Sequence, residues 1–127
     1  MQKRILIIDD EKPILELLRL KLSRNGFDVS TARSRSEFWS EAFNHKPDLM
    51  ILDIWLGKEG EGTQLYDDVI QAGFDPKIPV IFISALVDEG TPPKRALTGG
   101  RFALYGKPFN FELLVEDIRR LTGLEQT

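Results

Sequence analysis

The chain has 127 residues, of which 42% are hydrophobic, and a formal net charge of −3. That length suits one domain around one core, that composition supports folding, and the mild acidity provides no global attraction to nucleic acid. The absence of cysteine excludes disulfides, thiolate metal sites and cysteine nucleophiles, and no apolar run approaches the length of a membrane span.

Met1-Gln2-Lys3-Arg4 leads straight into a strand and lacks the apolar core of a signal peptide. Ile5-Leu6-Ile7-Ile8 is a short continuous apolar run, the pattern of a strand buried on both faces. It ends in Asp9-Asp10-Glu11. Pro13 falls where a first helical turn tolerates it. Ile14, Leu15, Leu17, Leu18 and Leu22 form a helical stripe, and Asn25-Gly26 supplies a stop. Phe27 to Thr31 alternate with period two, which predicts a less buried edge strand. Ser34 or Ser36 caps a second helix carrying Phe38, Trp39, Ala42 and Phe43, with Trp39 and Phe43 assigned to the core.

Pro47 ends the connection to a second buried strand, Leu49-Met50-Ile51-Leu52, which runs into Asp53. Gly57 to Gly62 form a glycine-rich loop. A third helix places Leu65, Val69 and Ile70 on one face and stops at Gly73. Ile78 to Ile83 form another buried strand, followed by Ser84. Val87 to Gly100 make a poor helix, since Gly90, Pro92 and Pro93 disfavour its start. Phe102-Ala103-Leu104-Tyr105 is the last strand and leads through Gly106 to Lys107-Pro108. Asn110 caps a final helix with Leu114, Ile118 and Leu121 on one face. Five strands alternating with five helices predict one α/β domain over residues 1–127, with a parallel sheet and helices on both faces. Residues 123–127 form a tail or the start of a linker.

The strand ends thus carry acids at Asp9-Asp10 and Asp53, a hydroxyl at Ser84 and an ammonium at Lys107. In an open parallel sheet those ends meet at one edge, where ligands bind. Bare carboxylates there would repel one another, and a hard divalent cation such as Mg²⁺, or Mn²⁺ in its place, relieves the repulsion. Asp9 or Asp10 alone also suits a helix N-terminus, and Asp53 alone suits a solvated strand-to-loop junction. Taken together, the set points to Asp53 as a nucleophile that attacks phosphorus to give an acyl phosphate. Lys107 would balance its charge, and Ser84 would donate to a phosphoryl oxygen. A single histidine, His45, leaves zinc chemistry without support. The chain also lacks the phosphate-binding loop of nucleotide hydrolases and a dinucleotide fingerprint.

Asp9-Asp10-Glu11, the Leu-Asp-Ile segment around Asp53, Ser84-Ala85 and Lys107-Pro108-Phe109 occur in this order along the chain. In them the chain resembles the receiver domains of two-component response regulators. The Asp53-Ile54-Trp55-Leu56 segment is similar to receivers of nitrogen-regulation-type regulators. The resemblance implies a flavodoxin-like, doubly wound five-stranded sheet of order 2-1-3-4-5. It implies that Asp53 accepts a phosphoryl group from a sensor histidine kinase or a phosphotransfer protein. Asp10 would ligate Mg²⁺ directly, Asp9 directly or through water, and the Trp55 backbone carbonyl would be a further ligand. Phosphorylation would bias a conformational equilibrium controlling an output or partner, with a phosphorylation-linked dimer as one outcome. Such a domain is cytoplasmic, catalyses only its own phosphorylation and dephosphorylation, and contacts neither membrane nor nucleic acid directly. The competing reading is a receiver-like interaction module that signals without phosphorylation. A metal-dependent aspartyl phosphatase is disfavoured, because its acids are spaced D-x-D whereas Asp9 and Asp10 are adjacent.

The chain departs from the family pattern in three places. Leu104 stands where the switch aromatic is usual, with Tyr105 adjacent. Gly57 stands where proline is common, and the loop before Gly62 is longer than usual. Pro92 and Pro93 compromise the fourth helix.

Overall fold

Four continuous apolar runs in this sequence become strands of one sheet. The computed structural model describes residues 2–54, 61–84, 102–106 and 110–123. In chain order these form β1 (Arg4–Ile8), α1 (Lys12–Arg24), β2 (Asp28–Ala32), α2 (Arg35–Asn44), β3 (Leu49–Asp53), α3 (Glu61–Gln71), β4 (Val80–Ser84), β5 (Phe102–Gly106) and α4 (Phe111–Leu121). The strands make one parallel sheet in the order β2-β1-β3-β4-β5, the doubly wound order that the family resemblance implies. The fourth helix predicted over Val87–Gly100 and the Gly57–Gly60 part of the loop lie outside the described residues.

Alternation along each strand divides the core in two. Ile5, Ile7, Leu49, Ile51, Ile81 and Ile83 pack with Leu15, Leu18 and Leu22 of α1 and Leu114 and Ile118 of α4. Leu6, Ile8, Met50, Leu52, Val80 and Phe82 pack with Phe38 and Ala42 of α2 and Leu65 and Val69 of α3. This two-sided burial explains why β1, β3 and β4 read as unbroken apolar runs. β2 lies at a sheet edge and is only partly buried over Val29 to Thr31, as its alternating pattern predicts.

The helix ends follow their capping signals. Pro13 stands in the first turn of α1. Ser34 Oγ accepts from the Glu37 N–H at 3.1 Å, and Asn110 Oδ1 accepts from the Leu113 N–H at 3.1 Å, each satisfying an amide that the helix itself leaves unpaired. After α1 the chain turns through Gly26 at φ 90°, a conformation open to glycine. α4 is fastened to the exit turn of α1: Arg119 lies over the Phe27 ring and donates to the Asn25 carbonyl at 3.2 Å. On the opposite face Arg35 of α2 pairs with Asp68 of α3 and lies over Trp39.

The aromatic stripe of α2 is only half core. Phe38 and Ala42, four residues apart, face the sheet and are buried. Trp39 is partly buried, and Phe43 is 41% exposed, which corrects its assignment to the core. Phe43 lies at the end of α2, against the Trp39 ring at 5.6 Å and the edge of Phe74 at 5.8 Å.

Phe38→Ala should cost about 3–5 kcal/mol in urea unfolding, because the ring is fully buried between α2 and the sheet; a loss below about 1 kcal/mol would contradict this placement. A pH effect is expected at the other pair. The Arg35 guanidinium, helped by the Gln64 amide, holds the Asp68 carboxyl below its ordinary range. A carboxylate so lowered stabilises the fold above its unfolded-state pKa and loses that contribution as pH falls through the folded one. Arg35→Ala should therefore raise the Asp68 titration midpoint seen by NMR and make stability less dependent on acid pH.

Candidate functional site

The site begins with register. Ile8 of β1 pairs with Leu52 of β3, and the next residue on each strand is an acid. Asp9 and Asp53 are each 1% exposed, so two carboxylates lie below the surface at adjacent strand ends. Asp9 Oδ1 accepts from the Glu11 N–H at 2.9 Å, which fixes the turn from β1 into α1. Glu11 is the residue before the helix, and its carbonyl accepts from the Ile14 and Leu15 N–H groups, both at 3.1 Å. Asp10 and Glu11 are exposed at this turn.

One carboxylate oxygen from each of Asp9, Asp10, Glu11 and Asp53 lies within 4.8 Å of the others. All four donors are hard, anionic oxygens. Such a set fits a hard divalent cation of the Mg²⁺ class and has no soft ligand to favour zinc or copper. The structure thus brings Asp9, Asp10 and Asp53 together as the sequence predicts. It adds Glu11, whose signal was its place in the acidic run at the end of β1.

The backbone of Asp53 is held on two sides. Towards β4, Asp53 is in register with Ile83, and the Ile54 N–H donates to the Ile83 carbonyl at 2.8 Å. Towards α3, the Gly62 N–H donates to the Ile54 carbonyl at 3.0 Å. Ser84 is placed by its backbone at the end of β4, in register with Gly106 of β5, the residue before Lys107. Lys107 and Trp55 lie outside the described residues, as does the Ser84 side chain. The β4–β5 register is unbroken, with Leu104 opposite Phe82 and Tyr105 opposite Ile83. No bulge therefore moves Tyr105 into the register position of Leu104.

A family model for the response regulator receiver domain matches residues 5–119. The chain belongs to that family. This receiver domain is 34% identical over 116 residues to the nitrogen assimilation regulatory protein NtrX of Azorhizobium caulinodans, covering 91% of this chain and 25% of NtrX. It is 31% identical over 119 residues to the phosphate regulon transcriptional regulatory protein PhoB of Escherichia coli, covering 94% of this chain and 51% of PhoB. The chain thus spans a quarter to a half of the length of these curated relatives. Among solved structures it resembles the response regulator TrrA of Thermotoga maritima in complex with Mg²⁺ and BeF, with 28% identity, a TM-score of 0.74, and coverage of 94% of this chain and 99% of that one. It is a receiver domain of the two-component kind, a signalling domain of a family that binds Mg²⁺ at an acidic cluster. Among the described residues no helix is long and apolar enough to cross a membrane.

Carboxylates this close repel one another to the extent that no cation or donor offsets them. Asp10→Asn should raise the stability of the metal-free protein by about 1 kcal/mol, on the scale of one like-charge contact in a solvated setting. It should also weaken Mg²⁺ binding. Chemical denaturation in EDTA and in Mg²⁺ reads both effects, and a variant less stable than the wild type in EDTA would contradict the repulsion argument.

Proposed function

We infer that Asp53 is the phosphoryl acceptor of this receiver domain and that Asp9, Asp10 and Asp53 hold Mg²⁺ with the Trp55 carbonyl. The observation that carries this reading is the buried Asp53 carboxylate at the end of β3, inside a four-acid cluster. The donor is a phosphohistidine on a sensor kinase or phosphotransfer protein. An Asp53 carboxylate oxygen forms the new O–P bond as the N–P bond of the donor breaks. The bonding pair returns to the imidazole nitrogen, which takes up a proton. Mg²⁺, when bound, supplies positive charge against the phosphoryl oxygens and the crowded carboxylates.

The chain's own residues provide the rest. The Asp53 backbone, hydrogen-bonded on both sides through Ile54, keeps the attacking carboxylate in place. Lys107 follows β5 directly in sequence and provides an ammonium for the transferred group. Ser84, at the end of β4, provides a hydroxyl to the same group. The acyl phosphate biases a two-state equilibrium that controls an output segment or a partner protein, with a phosphorylation-linked dimer as one form. The domain spans residues 1–127, acts in the cytoplasm and turns over no diffusing substrate beyond its own phosphorylation and dephosphorylation.

A second reading, an interaction module that signals without phosphorylation, is favoured by one observation. Leu104 holds its register position without a bulge, so the usual aromatic is not restored there by Tyr105. The two readings separate in one experiment. Incubated with Mg²⁺ and acetyl phosphate, the wild-type protein should gain the mass of one phosphoryl group, and Asp53→Asn should gain none. An unmodified wild type under conditions that phosphorylate a control receiver would transfer the conclusion to the interaction module.

A further inference from the structure

Gly62 opens α3 directly against the backbone of Asp53. A Cβ placed on Gly62 would overlap the Asp53 carbonyl oxygen, and would lie 2.7 Å from the Asp53 carbonyl carbon and 2.9 Å from Ile54 Cα. All three are main-chain atoms, so no flexible side chain could move aside. The same residue donates its N–H to the Ile54 carbonyl at 3.0 Å, while the Ile54 N–H is bound to the Ile83 carbonyl at 2.8 Å. Ile54, the residue after Asp53, is thus held between β4 and the first turn of α3. Gly62 is buried, and Leu65, one turn on, is fully buried in the core. α3 therefore cannot slide away from β3 without opening that core.

We propose that Gly62 is a positioning residue for Asp53: its lack of a side chain and its N–H set where the Asp53 main chain lies, and so where the carboxylate meets Asp9 and Asp10. This rests on the reading of Asp53 as metal ligand and acceptor. Packed interiors transmit small volume changes, and one methyl here must displace either β3 or α3. Displacement of β3 moves the carboxylate relative to the acids of the neighbouring strand. Residues that orient metal ligands typically change metal affinity by about 10–100-fold when altered.

The test compares Gly62→Ala with Gly73→Ala. Gly73 has φ 105°, and a Cβ there would meet nothing within 4 Å. Its replacement strains the backbone at the far end of α3 and serves as a stability control. Mg²⁺ alone is titrated into each protein and followed by amide NMR, beside a thermal melt. Gly62→Ala is expected to weaken Mg²⁺ binding at least about tenfold, and Gly73→Ala to leave it within about twofold at a comparable drop in Tm. Equal affinity in wild type and Gly62→Ala overturns the proposal while leaving the Asp53 reading intact. A wild type that does not bind Mg²⁺ overturns both. If Gly62→Ala does not fold, hydrogen exchange of the wild type decides. The Gly62 and Ile54 amides should gain protection together on adding Mg²⁺ and beryllofluoride, and unchanged exchange at both overturns the proposal.

Discussion

The constraint on which the rest of the structure depends is the depth of Asp9 and Asp53. Each is 1% exposed, and each follows a strand residue paired with its neighbour across β1 and β3. An ionised carboxylate at that depth needs donors or a cation. The fold supplies part of this locally, through the Glu11 amide on Asp9. Asp10 and Glu11 add two more carboxylates within 4.8 Å. Such a concentration is unfavourable for an unliganded fold, and it is maintained by burial elsewhere. The two apolar layers on either side of the sheet hold β1 and β3 in fixed register, so Asp9 and Asp53 cannot relax apart. Stability in the core and repulsion at the strand ends thus belong to one arrangement.

The same arrangement limits how a change at Asp53 can spread. Towards β4 the path runs through the Ile54–Ile83 hydrogen bond, and towards α3 through Gly62. α3 is in turn tied to α2 by the Arg35–Asp68 pair, whose guanidinium lies over the face of Trp39. Across the sheet, β4 and β5 continue in register, with Leu104 opposite Phe82. An aromatic side chain at the Leu104 position would have had a bulky ring to rotate; leucine has none. The main-chain contacts around Asp53 therefore gain weight as the means by which strain at Asp53 would reach a helix.

The fold was legible because its signals were short-range and redundant. Ile5 to Ile8 and Leu49 to Leu52 carry the pattern of strands buried on both faces, and Ser34 and Asn110 announced the helices that they cap. Three acids of the site were legible for a different reason: in a parallel sheet, residues that end successive strands meet at one edge, so chain position implied proximity. Glu11 was missed because a third acid in the turn before a helix already suits the helix dipole, and nothing in the sequence shows that its carboxylate reaches Asp53. Phe43 was misjudged because helical spacing identifies a stripe but not its width; Phe38 and Ala42 fill the space against the sheet, and Phe43 is left at its margin. Gly62 could be counted in the sequence as the end of a loop. Its contact with the Asp53 carbonyl is tertiary, set by the angle at which α3 meets β3, and composition carries no trace of it.

Charge explains why a phosphoryl group here would act as more than a label. A phosphate ester group carries about −1.5 to −2 near neutral pH, against about −1 for the carboxylate that it would replace. Added to Asp53, it would raise the negative charge of a cluster that already holds three other acids. The increase would call for cationic or hydrogen-bonding groups at the strand ends, because Asp9 and Asp53 are buried there. A bound divalent cation meets part of the demand without moving the chain. On the proposed reading, the remainder would fall on the hydroxyl of Ser84, the residue that ends β4, and on the ammonium of Lys107, which follows β5 in the sequence. Those two strand ends are therefore where a rigid, overcharged edge would turn added charge into movement.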